Sequence, residues 1–276
     1  MLACDVEWSR NTVKRIGPHD LRSAMGIVLG LLLAAPLLRA EALTASQISE
    51  RALRSNAFRY TNARTRVRMV LTGPDGKRSE RVLEVLGRNT DEGYQSVVRF
   101  LAPQDIAGTA FLMLERGRSG SEQYLYLPAI KRTRRIAGRE RDGSFMGSDF
   151  TYADLQGLDP KDAEHERLPD EKIGSDACYV VESTLLPAAK AAYGKLVAWV
   201  RQSDFIALRT RFYDRSGKLA KTLYSRRIRN VNGSPVVVEA RMQNEQAKHT
   251  TELFVDSIEH RDDLSDAQFT PTALEH

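Results

Sequence analysis

From residue 64 onward the chain alternates between apolar and polar positions. "RTRVRMVLT" (64–72) sets Val67, Met69 and Leu71 on one face and Arg64, Arg66 and Arg68 on the other, the period of a half-buried strand. "Gly73-Pro74-Asp75-Gly76" is a turn signal, and "RSERVLEVLG" (78–87) returns as the second arm of a hairpin. The same pattern predicts strands at 94–101, 108–115, 122–128, 131–136, 177–184, 195–202, 206–213, 218–225, 235–243 and 249–256. Hairpin signals recur between them at "YDRSGK" (213–218) and "NVNGSP" (230–235). A flat sheet of so many strands would curl or split, so the pattern predicts one large antiparallel sheet, curved or nearly closed. Helical periodicity is confined to a few places. "TASQISERALRSNA" puts Thr44 and Gln47 at capping-box spacing and predicts an amphipathic helix over about 45–56, on the concave side of the sheet. A short turn near 151–156 and a segment at 186–193 are the other helical candidates. The fold class is therefore mainly β, with a few helices packed on the sheet.

One segment, 137–176, breaks the spacing. Its first part belongs to "RIAGRERDGSFMGSDFTYADL" (135–155), where Phe145, Met146, Phe150 and Tyr152 sit among glycines. Four large apolar side chains do not belong in a solvated loop. Its second part, "DPKDAEHERLPDEK", is charged and proline-bounded, without an apolar face, and reads as a solvated loop.

The N-terminus has a different logic. Arg10, Lys14, Arg15 and Arg22 precede the apolar run "GIVLGLLLAAPLL" (26–38), and "Ala40-Glu41-Ala42" follows as a small-x-small site. That order is a secretory signal peptide, with cleavage after Ala42 and a single mature domain at 43–276; a retained N-terminal anchor is the alternative. Met25 is an alternative start. Cys4, in "Leu2-Ala3-Cys4", has no apolar region before it and is not read as an acylation site. Export would place the mature protein in the periplasm. Removing residues 1–42 takes away five of the 41 Lys/Arg and four of the 36 Asp/Glu, leaving a mildly basic 36 against 32. That balance is no argument for nucleic acid. The remaining cysteine, Cys178, lies in the apolar strand "ACYVVEST" and reads as a buried structural thiol.

Catalytic patterns are missing. "Gly143-Ser144-Phe145-Met146-Gly147" lacks Gly-x-Ser-x-Gly spacing, and His165, His249, His260 and His276 are isolated in polar sequence. "His165-Glu166" begins like a zinc-protease motif, but Pro169 stands where the second histidine belongs. Neither a metal, a cofactor nor an enzymatic activity is expected. The basic run "KRTRRIAGRER" (131–141) admits two readings. It is a charged edge strand that resists aggregation, or, through Lys131, Arg132, Arg134 and Arg135, a dock for an acidic partner or anionic lipid headgroups. No aromatic residues interleave it, so nucleic-acid binding is not indicated.

"YLYLPAIKRTRRIAGRERDGSFMGSDFTYADL" (124–155) resembles the signature of the LolA-like family of exported outer membrane lipoprotein-sorting proteins. "FLAPQDIAGTAFLMLE" (100–115), "KLVAWVRQSDFIALRTRFYD" (195–214) and "LSDAQFTP" (264–271) resemble further segments of it. The resemblance covers nearly all of 43–276. It implies a half-open barrel of about eleven antiparallel strands wrapped around a few helices, whose concave apolar face holds acyl chains of lipids or lipoproteins. It also allows a companion role beside an RND-type inner-membrane exporter or a sensor role, and a monomer is expected. In such a cradle Phe145, Met146, Phe150 and Tyr152 would close the mouth as a lid or plug, with Met69, Leu71 and Met113 lining the cavity. The alternative is that the four rings and side chains simply cap the core. The chain departs from the basic lipoprotein carrier in carrying the 131–176 insert.

The leader reading makes a direct prediction. N-terminal sequencing of the protein recovered from the periplasm begins near Leu43; intact Met1 or Met25 in a soluble cytoplasmic fraction is the contrary result.

Overall fold

A computed structural model describes residues 42–55, 59–117, 120–189 and 192–276; the proposed leader, Ala42 apart, lies outside these. Helix α1 (Ala45–Arg54) opens the described chain, followed by β1 (Ala63–Thr72), β2 (Arg78–Thr90), β3 (Gly93–Ala102), β4 (Ala110–Glu115), β5 (Ser121–Leu127) and β6 (Arg132–Ile136). After α2 (Tyr152–Gln156) come β7 (Ala163–Ile173), β8 (Asp176–Leu185), β9 (Tyr193–Arg201) and β10 (Ala207–Asp214). The last strands are β11 (Leu219–Val231), β12 (Ser234–Asn244) and β13 (His249–His260). All pair antiparallel in one sheet, ordered β6-β5-β4-β3-β2-β1-β13-β12-β11-β10-β9-β8-β7. The sheet is open and curled, in agreement with the expected LolA-like class.

Thirteen strands stand where the resemblance implied about eleven. The thirteenth is a correction. Residues 163–173, expected in a solvated loop, form β7, paired with β8. As an edge strand it needs no second apolar face, and its proline, Pro169, sits where the register slips between Leu168 and Glu171. Within the segment 186–193, read as a possible helix, the described residues form a three-residue 3-10 turn at Pro187–Ala189 and the start of β9; residues 190–191 lie outside the described residues. Helix α1 has the expected cap: Gln47 N donates to Thr44 Oγ1 at 3.2 Å and Thr44 N to Gln47 Oε1 at 3.0 Å. Its Ile48 is buried against Val181 and Val200. The chain turn at Asn232-Gly233 has φ of 50° and 84°, the positive pair that a two-residue hairpin requires.

Two ladders run across the sheet. On the inner face Leu83, Phe100 and Val98 lead through Phe111 and Leu125 to Arg134, and in the other direction Leu71 and Thr251 lead to Met242, Leu223, Thr210, Ala198 and Val181. On the outer face Leu86, Val97, Leu112 and Tyr124 stand in register. Strand β4 is buried on both faces, which is why "AFLMLE" shows no alternation. Its outer side is covered by the C-terminal segment, whose Phe269 and Leu274 pack on Val97, Ala110, Leu112 and Leu114. Arg88 ties that segment down. Its guanidinium lies 4.4 Å from the Phe269 ring, donates to the Leu264 carbonyl at 3.1 Å and pairs with Asp266. Arg99 donates to the carbonyls of Leu274 (3.2 Å) and Ala273 (3.3 Å). A close approach elsewhere dictates Gly87: a Cβ there would lie 2.1 Å from the Tyr60 carbonyl oxygen.

Phe269 thus seals one face of the sheet. Phe269→Ala should cost about 3–5 kcal/mol of unfolding free energy, read by urea denaturation, with the β-rich circular dichroism spectrum retained.

Candidate functional site

Between the two sheet edges, residues 137–162 cross the curled interior. A 3-10 turn at Gly138–Asp142 leads into a tight hairpin. There Phe145 N donates to the Phe150 carbonyl at 2.7 Å, and the bend runs through Met146 and Gly147 at φ of 51° and 75°. Ser148 Oγ donates to the Phe145 carbonyl at 2.7 Å and Ser144 Oγ to the Ser148 carbonyl at 2.6 Å. Thr151 and Asp154 then cap α2 reciprocally, and Gly157 at φ 82° ends it.

The hairpin drives its rings into the inner face. Phe145, Phe150 and Tyr152 are 2%, 0% and 7% exposed, too little for side chains that meet solvent. Phe145 lies 5.4 Å from Phe111, 5.5 Å from Tyr152 and 5.7 Å from Phe100, centroid to centroid. A void of about 60 Å³ remains beneath them, lined by Met69, Met113, Phe145 and Phe150 among others. Leu71 is buried in the same cluster, and Met146 packs partly buried against it. The rings are thus buried against core residues of the inner face.

Polar groups pin this plug from both sides. Lys221, projecting inward from β11, pairs with Asp154 and donates to the Asp149 carbonyl at 3.1 Å; both side chains of the ion pair are nearly fully buried. The Tyr193 hydroxyl donates to Asp154 Oδ1 at 3.2 Å, and burial pushes its phenol well above the usual range. Asp149 is held by Thr251 Oγ1 and His249 Nδ1, each 2.7 Å from Oδ2. The fully buried Gln123 donates to the Tyr152 carbonyl at 3.0 Å.

A larger space lies beside the plug. A cavity of about 400 Å³ has its floor on the inner face of β8–β12, with Val181, Leu196, Ala198, Val200, Phe212 and Leu223. Ala52 and Leu53 of α1 form one wall, and α2 with the following loop forms another. Arg141, Asp142, Asp154, Asp159 and Asp162 bring charged groups to the lining. None of Met69, Leu71, Met113, Phe145, Met146, Phe150 and Tyr152 lines it. The basic run also lies elsewhere. Lys131 is exposed in a left-handed turn (φ 46°) and Arg132 is exposed, while Arg134 pairs with Glu140 at 2.8 Å and Arg135 with Glu122 at 3.0 Å.

His165 also reaches the cavity. Its Nε2 donates to the Pro160 carbonyl oxygen at 2.8 Å, and its Nδ1 lies 2.8 Å from Ser183 Oγ and 3.2 Å from Ser49 Oγ. A carbonyl rather than a carboxylate holds the far nitrogen, unlike the arrangement of a hydrolase triad. The contacts instead join α1, β7, β8 and the connector. Cys178 is buried and free; its thiol contacts the Asp176 carbonyl at 3.6 Å, and burial pushes its pKa up. No helix of the described residues is long and apolar enough to cross a membrane.

Sequence reasoning expected a cavity on the concave face but did not name the residues that line this one. The available signal was "KLVAWV", where Leu196, Ala198 and Val200 alternate small with large on one face, together with Lys221 at an inward position of β11.

A protein-family model described as "-like: Uncharacterized protein" matches residues 92–276, more than half of the chain. The fold is similar to a domain from Vibrio parahaemolyticus assigned to outer membrane lipoprotein sorting: 28% identity, 84% of this chain and 98% of that one covered, TM-score 0.77. A DUF1329 family protein from Desulfovibrio piger is 26% identical over 84% of this chain and 100% of its own, TM-score 0.74. The LolA superfamily protein NE2245 from Nitrosomonas europaea, at 24% identity, covers 83% and 98% with TM-score 0.63 and bears on the fold alone. No curated protein matches the sequence.

The buried pair can be tested by a double-mutant cycle. Lys221→Met alone, which strands a carboxylate among buried partners, should destabilise by about 3–5 kcal/mol in thermal or chemical denaturation. Adding Asp154→Leu should recover part of that loss, since the unpaired charge goes with it.

Proposed function

Because the chain belongs to the LolA-like outer membrane lipoprotein-sorting family, we propose that it is a periplasmic carrier that holds one acyl chain of a lipid or lipoprotein beside its plug. The observation that carries this reading is the 400 Å³ cavity with its floor of Val181, Leu196, Ala198, Val200, Phe212 and Leu223. That volume lies in the range of small-ligand sites. Each methylene transferred there from water contributes about 0.8 kcal/mol, so ten of them yield about 8 kcal/mol before the costs of ordering the chain and the protein. Apolar burial alone is then enough for reversible holding, and no group need react with the cargo. Carriage rather than catalysis also accords with His165, whose ring joins structural elements through Pro160, Ser49 and Ser183. Residues 10–42, with their leader pattern, support the periplasm as the place of action.

The plug bears on how the cargo would sit. Phe145 and its neighbours fill the interior beneath β1–β5, so the chain is confined to the side of the sheet under α1 and α2. A filled cavity should therefore weaken binding. Ala198→Phe should weaken binding of a neutral fluorescent probe with a twelve-carbon chain by about tenfold or more, with a retained β spectrum and no more than about 3 kcal/mol lost from overpacking. Undiminished binding by that folded variant would overturn the assignment of the site.

A further inference from the structure

Exposed apolar side chains gather at one end of the sheet. Among the described residues the large ones are Leu101, Ile130 and Leu186. Leu101 lies at the end of β3, Ile130 just past β5 and Leu186 just past β8, and the antiparallel order brings those three strand ends to the same side. Leu185 and Ala189, which flank Leu186, line the cavity, so the cavity reaches this end as well. Apolar residues scattered singly over a surface are ordinary; these are confined to one end. Ile130 is the most exposed, at 62%. Its turn holds it there. Pro128 opens the 3-10 turn Pro128–Ile130, Lys131 N donates to the Pro128 carbonyl at 3.1 Å, and a Cβ on Gly108 of the β3–β4 loop would lie 3.6 Å from Pro128 Cγ.

Charge gathers at the same corner. Arg134 and Arg135 have carboxylate partners, but the exposed Lys131 and Arg132 pair with none among the described residues. In the neighbouring loops at this end, Asp75 is taken by Lys77 at 3.3 Å and the charge of Asp105 acts on Arg81. The cavity acids Asp159 and Asp162 lie just before β7, at the opposite edge of the sheet. We propose that the β5–β6 turn docks on an anionic phospholipid bilayer, with Ile130 entering the boundary between headgroups and acyl chains and Lys131 and Arg132 meeting the phosphates. A bilayer surface takes an aliphatic side chain and its flanking cations together, and two weak signals give a reversible contact. This surface shares no residue with the cavity and stands or falls apart from the acyl site.

Ala42–His276 forms one compact unit, so the chain from Leu43 serves for the test and the leader contributes nothing to binding. In vesicle flotation it should bind phosphatidylcholine containing about 30% phosphatidylglycerol at least about tenfold more tightly than phosphatidylcholine alone. Salt at about 0.5 M should remove most of that preference. Ile130→Ser should weaken binding to the anionic vesicles by about tenfold, through loss of one inserted aliphatic side chain. Lys131→Gln with Arg132→Gln should remove the preference for them. Both variants should keep the β spectrum and the cavity's affinity for the neutral probe. Equal binding to both vesicles overturns the inference while the acyl site stands. Binding to the anionic vesicles that ignores Ile130→Ser or the glutamine pair places the contact elsewhere and overturns it too. Failure to bind either vesicle overturns it and leaves the unpaired cations to an acidic protein surface.

Discussion

A curled sheet of thirteen strands encloses more space than its own inward side chains can fill, and the rest of the structure is a response to that constraint. The connector between the two edges supplies part of the filling. Phe145, Phe150 and Tyr152 reach from it into the layer of Phe100 and Phe111. Helix α1 supplies another part, through Ile48 against Val181 and Val200. What neither fills is the space along β8–β12, where inward residues as small as Ala198 leave the floor low.

Inserting a loop into an apolar interior carries its backbone polar groups with it, and these must be satisfied. That requirement accounts for the polar residues at inward positions. Gln123, Lys221 and Thr251 would be anomalies in a core made only of sheet, yet Gln123 and Lys221 meet connector carbonyls and Thr251 meets both the amide and the carboxylate of Asp149. Arg81 takes the Met146 carbonyl in the same way. The plug is thus fixed by directional contacts as well as by area, which gives the neighbouring cavity a rigid wall.

The strands, the hairpin turns and α1 were legible because each is written locally: alternation at Val67, Met69 and Leu71, the Asn232-Gly233 turn, and the Thr44–Gln47 cap. The bridge between pattern and place was harder. Strand β7 was missed because an edge strand exposed on much of its surface carries no apolar period, and Pro169 reads as a loop unless the bulge around it is known. The rings of 145–152 were singled out correctly as buried apolar groups with something against them. What they face depends on how the connector crosses the interior, which no local pattern encodes. The cavity itself is an absence of volume, and the small residues that leave it differ little from those of a filled core.

The order of the strands also shapes how the chain comes together. Strand β1 lies inside the sheet, yet one of its neighbours is the last strand, β13, which holds the central position, with Ala63 opposite His260. A chain that emerges N-terminus first can build β1–β6 as successive hairpins, but β1 keeps an open flank until β13 arrives. Closing so long a loop has an entropic cost and makes for slow, late assembly. Until then the half-built sheet presents an unpaired edge to any extended segment nearby, its own or another molecule's. The seam between first and last strand is therefore where assembly is completed and where a chaperone would have most to guard.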